Sequence, residues 1–360
     1  MAPKTRSNRG RRGLAAKRGE FYTVGQAGTS GLSTRSAVCW SPSTITSGSS
    51  LLPPSQQRVR VFAPGSVGNV GPGLDVLGLA VGGAGDVVTA ESATGSGVVI
   101  ADPGHPSLPT DAERHTSGIA ALEVLRRGRA GFGLVLTIEK GLPLAGGQGG
   151  SAASAVAGAV AANLLLPEPL DWSQILEAAL AAEARVSGRH ADNIAPILLG
   201  GLVLIRSLDP LDIVRLPVPA PLRIVLAHPA YALPTREGRA VLPAAVPIED
   251  AIHQSAQLGA LVAAAHSGDL ALFGRAIDDR IAEPARAPLL PGFRQAKRAA
   301  LEAGALGSSI SGSGPTAFAL VGDPETGDRV ARAMVAAYAA LDIRCTARVA
   351  APDLVGARRL

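Results

Sequence analysis

Residues 141–155, GLPLAGGQGGSAASA, set Gly146, Gly147, Gly149 and Gly150 directly ahead of a run of helix formers. Glycine weakens regular structure through its conformational freedom, so such a cluster marks a place where something approaches the backbone closely. The first amides of a helix have no internal partner, and the helix dipole adds partial positive charge at that end. A glycine loop feeding a helix N-terminus is therefore an anion cradle, most often for phosphate. No Gly-Lys-Ser/Thr follows, which excludes a Walker A loop, and the acidic ribose-binding partner of a dinucleotide fingerprint is missing. On these residues alone, a phosphate cradle and a plain glycine turn both stand.

The remaining chemistry-bearing residues are sparse. His190 and Asp192 stand at i and i+2, a poor metal pair without a third ligand. Six histidines and no Cys-x-x-Cys give no zinc pattern, and two cysteines, Cys39 and Cys345, exclude a disulfide framework and fit a reducing compartment. Glu183, followed at i+2 by Arg185, reads as a solvated helix glutamate.

The elements that must position these residues begin at Arg58. RVRVFAP alternates as a strand and leads into a loop over 65–73, and DVLGLAV, DVVTAES and GVVIAD read as further strands. A helix is expected over 111–128, ending at Gly128, then the strand FGLVLTIEKG, helices near 151–166 and 173–187, and the strand GGLVLIRSL. Four prolines make 207–221 the expected boundary between halves. Beyond it come the strand PLRIVLAHP, helices near 249–267, 269–282 and 292–304, and the strands ALGSSISGSG and TAFALVGD; a helix near 325–341 and the strand IRCTARVAA close the chain. Strands and helices do not alternate strictly, which favours an α+β fold over a doubly wound sheet.

At 360 residues the chain is long enough for two domains, and 47% hydrophobic residues with only 3% aromatic imply a core of Ala, Val, Leu and Ile. Charge is uneven. Residues 1–57 hold eight Lys and Arg against Glu20 alone, a net +7, so the body carries −2 of the total +5. A basic nucleic-acid-binding face on the body is thereby disfavoured. The leader 1–57 is Arg- and Ser-rich and acid-poor, as organelle transit peptides are; a plain leader and a nucleic-acid arm are the alternatives. The most apolar run, 152–166, is too short to cross a bilayer.

Three stretches occur in order: APGSVGNVGPGLD (63–75), GLPLAGGQGGSAASA, and SISGSGPTAFAL (309–320). Together they resemble the three motifs of the GHMP small-molecule kinases. HADNIAPILLGGLVLIR, EPARAPLLPG and ALEAGALGSSISGSGPTA bring the likeness closest to homoserine kinases of plant type, over about residues 58–358.

The resemblance implies two domains, 58–206 like the second domain of ribosomal protein S5 and 207–360 ferredoxin-like. It implies ATP and Mg²⁺ as cofactors, L-homoserine as the acceptor, a homodimer, no nucleic-acid or membrane partner, and a plastid location if the leader is a genuine transit peptide, otherwise the cytoplasm. It assigns the phosphates to the run Leu144-Ala145-Gly146-Gly147-Gln148-Gly149-Gly150-Ser151-Ala152-Ala153, and Mg²⁺ to Ser151 and Glu183. The acceptor pocket falls to Asn69, Asp75, His190, Asn193, Thr235, Arg239 and Arg286, and the site floor to Ser311, Gly312, Ser313 and Gly314. Adenine is expected near 110–122.

The chain also departs from the family. Gly150 replaces the first serine of the usual loop pair, Gln148 replaces a leucine, and His115 stands where relatives carry Asn. Asn193 stands where mevalonate and galactose kinases place an aspartate base, and an amide cannot take a proton as a carboxylate can. Asp192 is the alternative base, but its place in the motif reads as structural. A kinase for another small alcohol, and a nucleotide-binding relative without catalysis, are the rival readings.

Overall fold

The computed structural model describes residues 57–186 and 188–360. The leader, with its plastid and nucleic-acid readings, lies outside the described residues except for Gln57, whose backbone pairs with Ser92.

The first sheet is built on two long antiparallel strands, β1 (Arg58–Gly68) and β2 (Leu77–Ala93). The sequence predicts two short strands where β2 runs unbroken for 17 residues. Its internal glycines accommodate a bulge and do not end the strand. The register shifts between Pro64 and Gly65, and a side chain at the facing Gly85 would collide with the Ala63 carbonyl. Next come β3 (Val98–Asp102) and β4 (Gly133–Glu139), a parallel pair bracketing α1 (Thr116–Arg127). α2 (Gly150–Leu164), α3 (Trp172–Val186) and α4 (Ile194–Leu199) follow.

The two sheets part at the end of the proline-rich stretch, between residues 217 and 222, and not directly after residue 206. β5 (Leu202–Leu208) turns at Asp209–Pro210 into β6 (Leu211–Leu216), which stays in the first sheet. Pro210 lies in the turn, where a missing N–H costs no ladder bond. The C-terminal β11 (Arg358–Arg359) returns to pair with β1, giving the order β11-β1-β2-β4-β3, with β5 on β2 and β6 beyond it.

The second sheet holds β7 (Arg223–Pro229), β8 (Gly307–Ile310), β9 (Ala317–Val321) and β10 (Cys345–Ala350), all antiparallel, in the order β10-β7-β9-β8. That order is ferredoxin-like. Between β7 and β8 lie α5 (Thr235–Ala240), α6 (Ile248–Ser267), α7 (Leu270–Arg275), α8 (Ala282–Arg286) and α9 (Phe293–Glu302); α10 (Pro324–Ala339) joins β9 to β10. The helix expected over 269–282 stops at Arg275, because the Asp279 carboxylate accepts from the amides of Ile281, Ala282 and Glu283 and starts α8 afresh.

The halves share one apolar core. Val67, Leu77 and Leu79 of the first sheet and Val70 of the loop after β1 pack with Ile224, Leu226 and Phe318 of the second sheet and with Phe273 of α7. The loop after β1 is thus anchored between both sheets. Among the described residues, no helix is long and apolar enough to cross a membrane.

Candidate active site

A cleft of about 530 Å³ opens where the loop after β1, the glycine loop, α5 and the third motif converge. The glycine loop enters α2 with Gly149 left-handed at φ 72° and no side-chain cap on the helix. The first amides of α2 therefore remain for a ligand. Gly147 is also left-handed, and a side chain there would meet the Ser311 and Gly314 carbonyls at 2.6 and 2.7 Å. Only glycine permits this close seat of the loop on the third motif. Ser311 Oγ donates to the Gly147 carbonyl at 2.5 Å, and the Thr316 amide donates to that of Gly146 at 3.3 Å.

Gln148 carries the loop's other tie. Its side chain is buried, accepts from Arg348 Nη2 at 3.2 Å and donates to Thr316 Oγ1 at 3.3 Å. A polar side chain in a leucine's place is thus fully engaged and fastens the loop to β10. Gly150 has a different explanation. A side-chain carbon there would lie 3.2 Å from the Pro143 carbonyl, a tight contact relieved by a small shift of the loop, with Lys140 Nζ at 3.7 Å. Gly150→Ser is expected to leave the fold intact and to lower KM for ATP about fivefold, the worth of roughly one hydrogen bond. Steady-state kinetics check this; an unchanged KM means that the added hydroxyl does not reach the phosphates.

Beneath the loop lies a buried network that the sequence did not reveal. Asp86, on β2, accepts from Ser154 Oγ at 2.7 Å, from the amides of Gly141 and Leu142 at 3.1 and 3.3 Å, and from Lys140 Nζ. Lys140 also donates to the Gly150 carbonyl at 3.0 Å and to Ser154 Oγ at 2.8 Å. A lysine closing a strand reads as solvated, and nothing local points to a partner 54 residues earlier.

Ser151 Oγ donates to Glu183 Oε2 at 3.0 Å, with Glu183 buried on α3. Two hard oxygen donors beside the phosphate loop suit Mg²⁺, which takes most of its ligands from phosphates and water. Among the described residues, no cluster of three His, Cys, Asp or Glu exists to hold a metal by protein groups alone.

The acceptor end gathers residues from four segments. Asp75 is left-handed at φ 61°, and its carboxylate takes Arg239 Nη1 and Nη2 at 3.0 and 2.6 Å, with His190 Nδ1 at 3.6 Å. Burial pushes Asp75 up, but the hydrogen bonds and charge of Arg239, with His190 and Arg286, hold it below the usual carboxylate range. Arg239 Nε is buried and has no partner among the described residues. Asn69 works as a brace, accepting from the Asp75 amide and donating to the Gly312 carbonyl, both at 3.1 Å. Arg286, 1% exposed, donates to the same Gly312 carbonyl and to that of Gly238, both at 2.9 Å. Thr235 begins α5 and lines the cleft with Ser313.

Asn193 and Asp192 complete this end. Asn193 Oδ1 accepts from Ser66 Oγ at 2.8 Å. Both side chains sit over Gly68, where a Cβ would meet the Asn193 amide at 2.8 Å. Asp192, expected to be structural, is 4% exposed, lines the cleft and accepts no hydrogen bond from the described residues. Burial, with Asp75 and Glu183 nearby, pushes its carboxyl up to about 7.

At the other end, Leu108, Pro109 and His115 line the cleft. His115 caps α1, accepting from the Ser117 amide at 3.2 Å, while its Nε2 lies 3.3 Å from the Pro103 carbonyl. Asn is also a good cap. The departure at 115 therefore preserves the helix start.

A glycine-rich loop entering a helix, a serine–glutamate oxygen pair and a polar pocket, set between an α+β first half and a ferredoxin-like second half, are the architecture of a GHMP-type small-molecule kinase. The GHMP kinase N-terminal domain model matches residues 116–201 and the GHMP kinase C-terminal model residues 260–340. A homoserine kinase of Arabidopsis thaliana is 44% identical over 310 residues, covering 83% of this chain and 84% of that protein. One from Xylella fastidiosa strain 9a5c is 42% identical, covering 87% and 97%. The crystal structure of homoserine kinase from Cytophaga hutchinsonii superimposes with a TM-score of 0.81 at 41% identity, covering 85% and 98%. The chain belongs to the homoserine kinase family.

Proposed function

We infer that this chain transfers the γ-phosphoryl group of ATP to the side-chain hydroxyl of L-homoserine, giving ADP and O-phospho-L-homoserine on the route to threonine. The observation that carries this reading is one cleft lined by the glycine loop before α2 at one side and by Asp192, Arg239 and Arg286 at the other, with Asp75 paired to Arg239. Phosphoryl transfer needs an aligned hydroxyl and stabilised phosphate charge more than covalent chemistry.

In this reading the amides of residues 146–151 and the α2 dipole receive the β- and γ-phosphates. Ser151 and Glu183 hold Mg²⁺, which when bound screens phosphate charge. Adenine occupies the slot beside Leu108, Pro109 and His115. Arg239, released from Asp75 as the substrate ammonium takes its place there, turns its guanidinium to the acceptor's carboxylate, for which its fork geometry is suited. The ammonium falls to Asp75 and Asp192, and of these only Asp192 lacks a protein partner among the described residues. Asn193 aligns the hydroxyl but cannot remove its proton, so positioning is the main catalytic contribution. The protein acts as a homodimer, and the composition of residues 1–57 supports plastid import.

The test is ADP release with Mg-ATP and a panel of L-homoserine, L-threonine, mevalonate, shikimate and galactose. Turnover with homoserine alone is expected. Turnover with another acceptor shows the pocket to be wrongly assigned, and ATP binding without turnover supports a nucleotide-binding protein that has lost catalysis.

A further inference from the structure

Directly after α5 the chain runs VLPAAVPI over residues 241–248, with no charged residue, and most of it is exposed. It leads into α6, where Ile248 is 68% and Ile252 62% exposed. Large aliphatic side chains clustered in water mark an interaction surface, whereas isolated ones do not. The same face continues along the helix through Ala256, Gly259 and Ala263, all exposed and spaced by three or four residues. Gly259 is the least explained. Glycine inside a helix costs about 0.5–1 kcal/mol relative to alanine, yet a side-chain carbon at 259 would meet nothing within 4 Å.

The face has a pattern of its own. It is bulky at its N-terminal half and small at its C-terminal half, and the two halves mirror each other about the midpoint between Ser255 and Ala256. Ile248 mirrors Ala263, and Ile252 mirrors Gly259. Two copies crossing antiparallel therefore set each isoleucine over a small residue of the other, as an isologous two-fold contact requires. The crossing opposes the helix dipoles and brings Glu249 toward the last turn of the second copy, which carries His266.

We propose that α6 and the preceding segment 241–248 form the interface of a two-fold homodimer, with Ala256 beside the axis. This rests on the homodimer reading above and adds its surface. The α6 face is about 30 Å long and about 10 Å wide, short of the roughly 800 Å² per partner of a standard interface. The apolar segment 241–248 supplies further area. On its inner side Gln254 donates to the Pro72 carbonyl at 2.9 Å, so the interface helix also supports the loop that carries Asp75.

Sedimentation of the full chain at tens of micromolar and cysteine cross-linking test the proposal. The expected results are a wild-type dimer, a folded monomer for Ile252→Arg whose melting temperature no longer rises with protein concentration, and a covalent dimer for Ala256→Cys under mild oxidation. Ile248→Cys and Ala263→Cys are expected not to link alone but to link to each other when coexpressed, since mirror-related positions meet only across the axis. A wild-type monomer overturns the homodimer reading itself. A dimer that survives Ile252→Arg, with Ala256→Cys unlinked, overturns only the assignment to α6. Binding of wild type, but not Ile252→Arg, to zwitterionic vesicles assigns the face to a membrane and likewise overturns the proposal.

Discussion

Asp192→Asn is expected to lower kcat/KM for homoserine about a hundredfold at pH 8, to leave KM for ATP unchanged, and to abolish the acid limb of the pH profile. The carboxylate is nearly buried, opens only into the cleft and has no hydrogen-bond donor among the described residues. Removing one partner of a buried charge contact costs about 2–5 kcal/mol, and about 2.7 kcal/mol is a hundredfold. In the proposed reading the substrate ammonium pairs with the charge of ionised Asp192, which protonation removes. Since its carboxyl is pushed up to about 7, kcat/KM of the wild type should fall as pH drops below 7, while the variant stays flat.

Stability should move the other way. A carboxyl whose folded value lies near 7 and whose unfolded value is the ordinary 3.8 holds an extra proton in the native state between those limits. Stability then falls as pH rises from about 4 to 7 and stays lowered above that. Asparagine has no charge to bury. At pH 8 the variant should therefore be the more stable protein, by on the order of a few kcal/mol. Denaturant titrations at pH 5 and 8 alongside the kinetics check the pair of effects. A variant less stable at pH 8, with its acid limb retained, shows Asp192 to be structural.

Asp86→Asn is expected to cause the largest loss of stability. It leaves Lys140, 7% exposed at its side chain, without its counter-charge, and it disturbs acceptance from Ser154 and from two loop amides. Breaking a buried pair from one side costs about 3–5 kcal/mol, a fall in melting temperature of roughly 10 °C for a fold of this size. Because Lys140 and Ser154 support the start of α2, KM for ATP should rise as well. Asp86→Asn with Lys140→Met should recover much of the stability, since the stranded charge is gone, but not the ATP affinity. Calorimetry of the two variants decides the matter; equal losses in both show that the ion pair contributes little.

Much of the site was legible because its parts are local. The glycine loop and the helix after it lie in one stretch, and their physics of free amides and close backbone approach needs no tertiary information. The same holds for the strand periodicity at 58–64 and 133–139. The errors lie where a distant partner overrides the local signal. Gly82, Gly83 and Gly85 look like a strand break until β1 is laid against them with its bulge at Pro64. Pro210 looks like part of the boundary between halves until it proves to be the turn of a hairpin, and the change of sheet comes only at 217–222. The helix expected over 269–282 divides because Asp279 caps a second one.

The sequence alone therefore determined the glycine loop with its following helix and the family, and it named the residue types proposed to meet the substrate. The tertiary structure decided which of them are engaged and which are free. It placed Asp86 under Lys140, closed Asp75 on Arg239, turned Asn69 and Arg286 into braces for the Gly312 carbonyl, and left Asp192 buried without a hydrogen-bond donor among the described residues. Burial and pairing between segments 26 to 243 residues apart set these outcomes, because the cost of burying a charge depends on what the fold brings beside it.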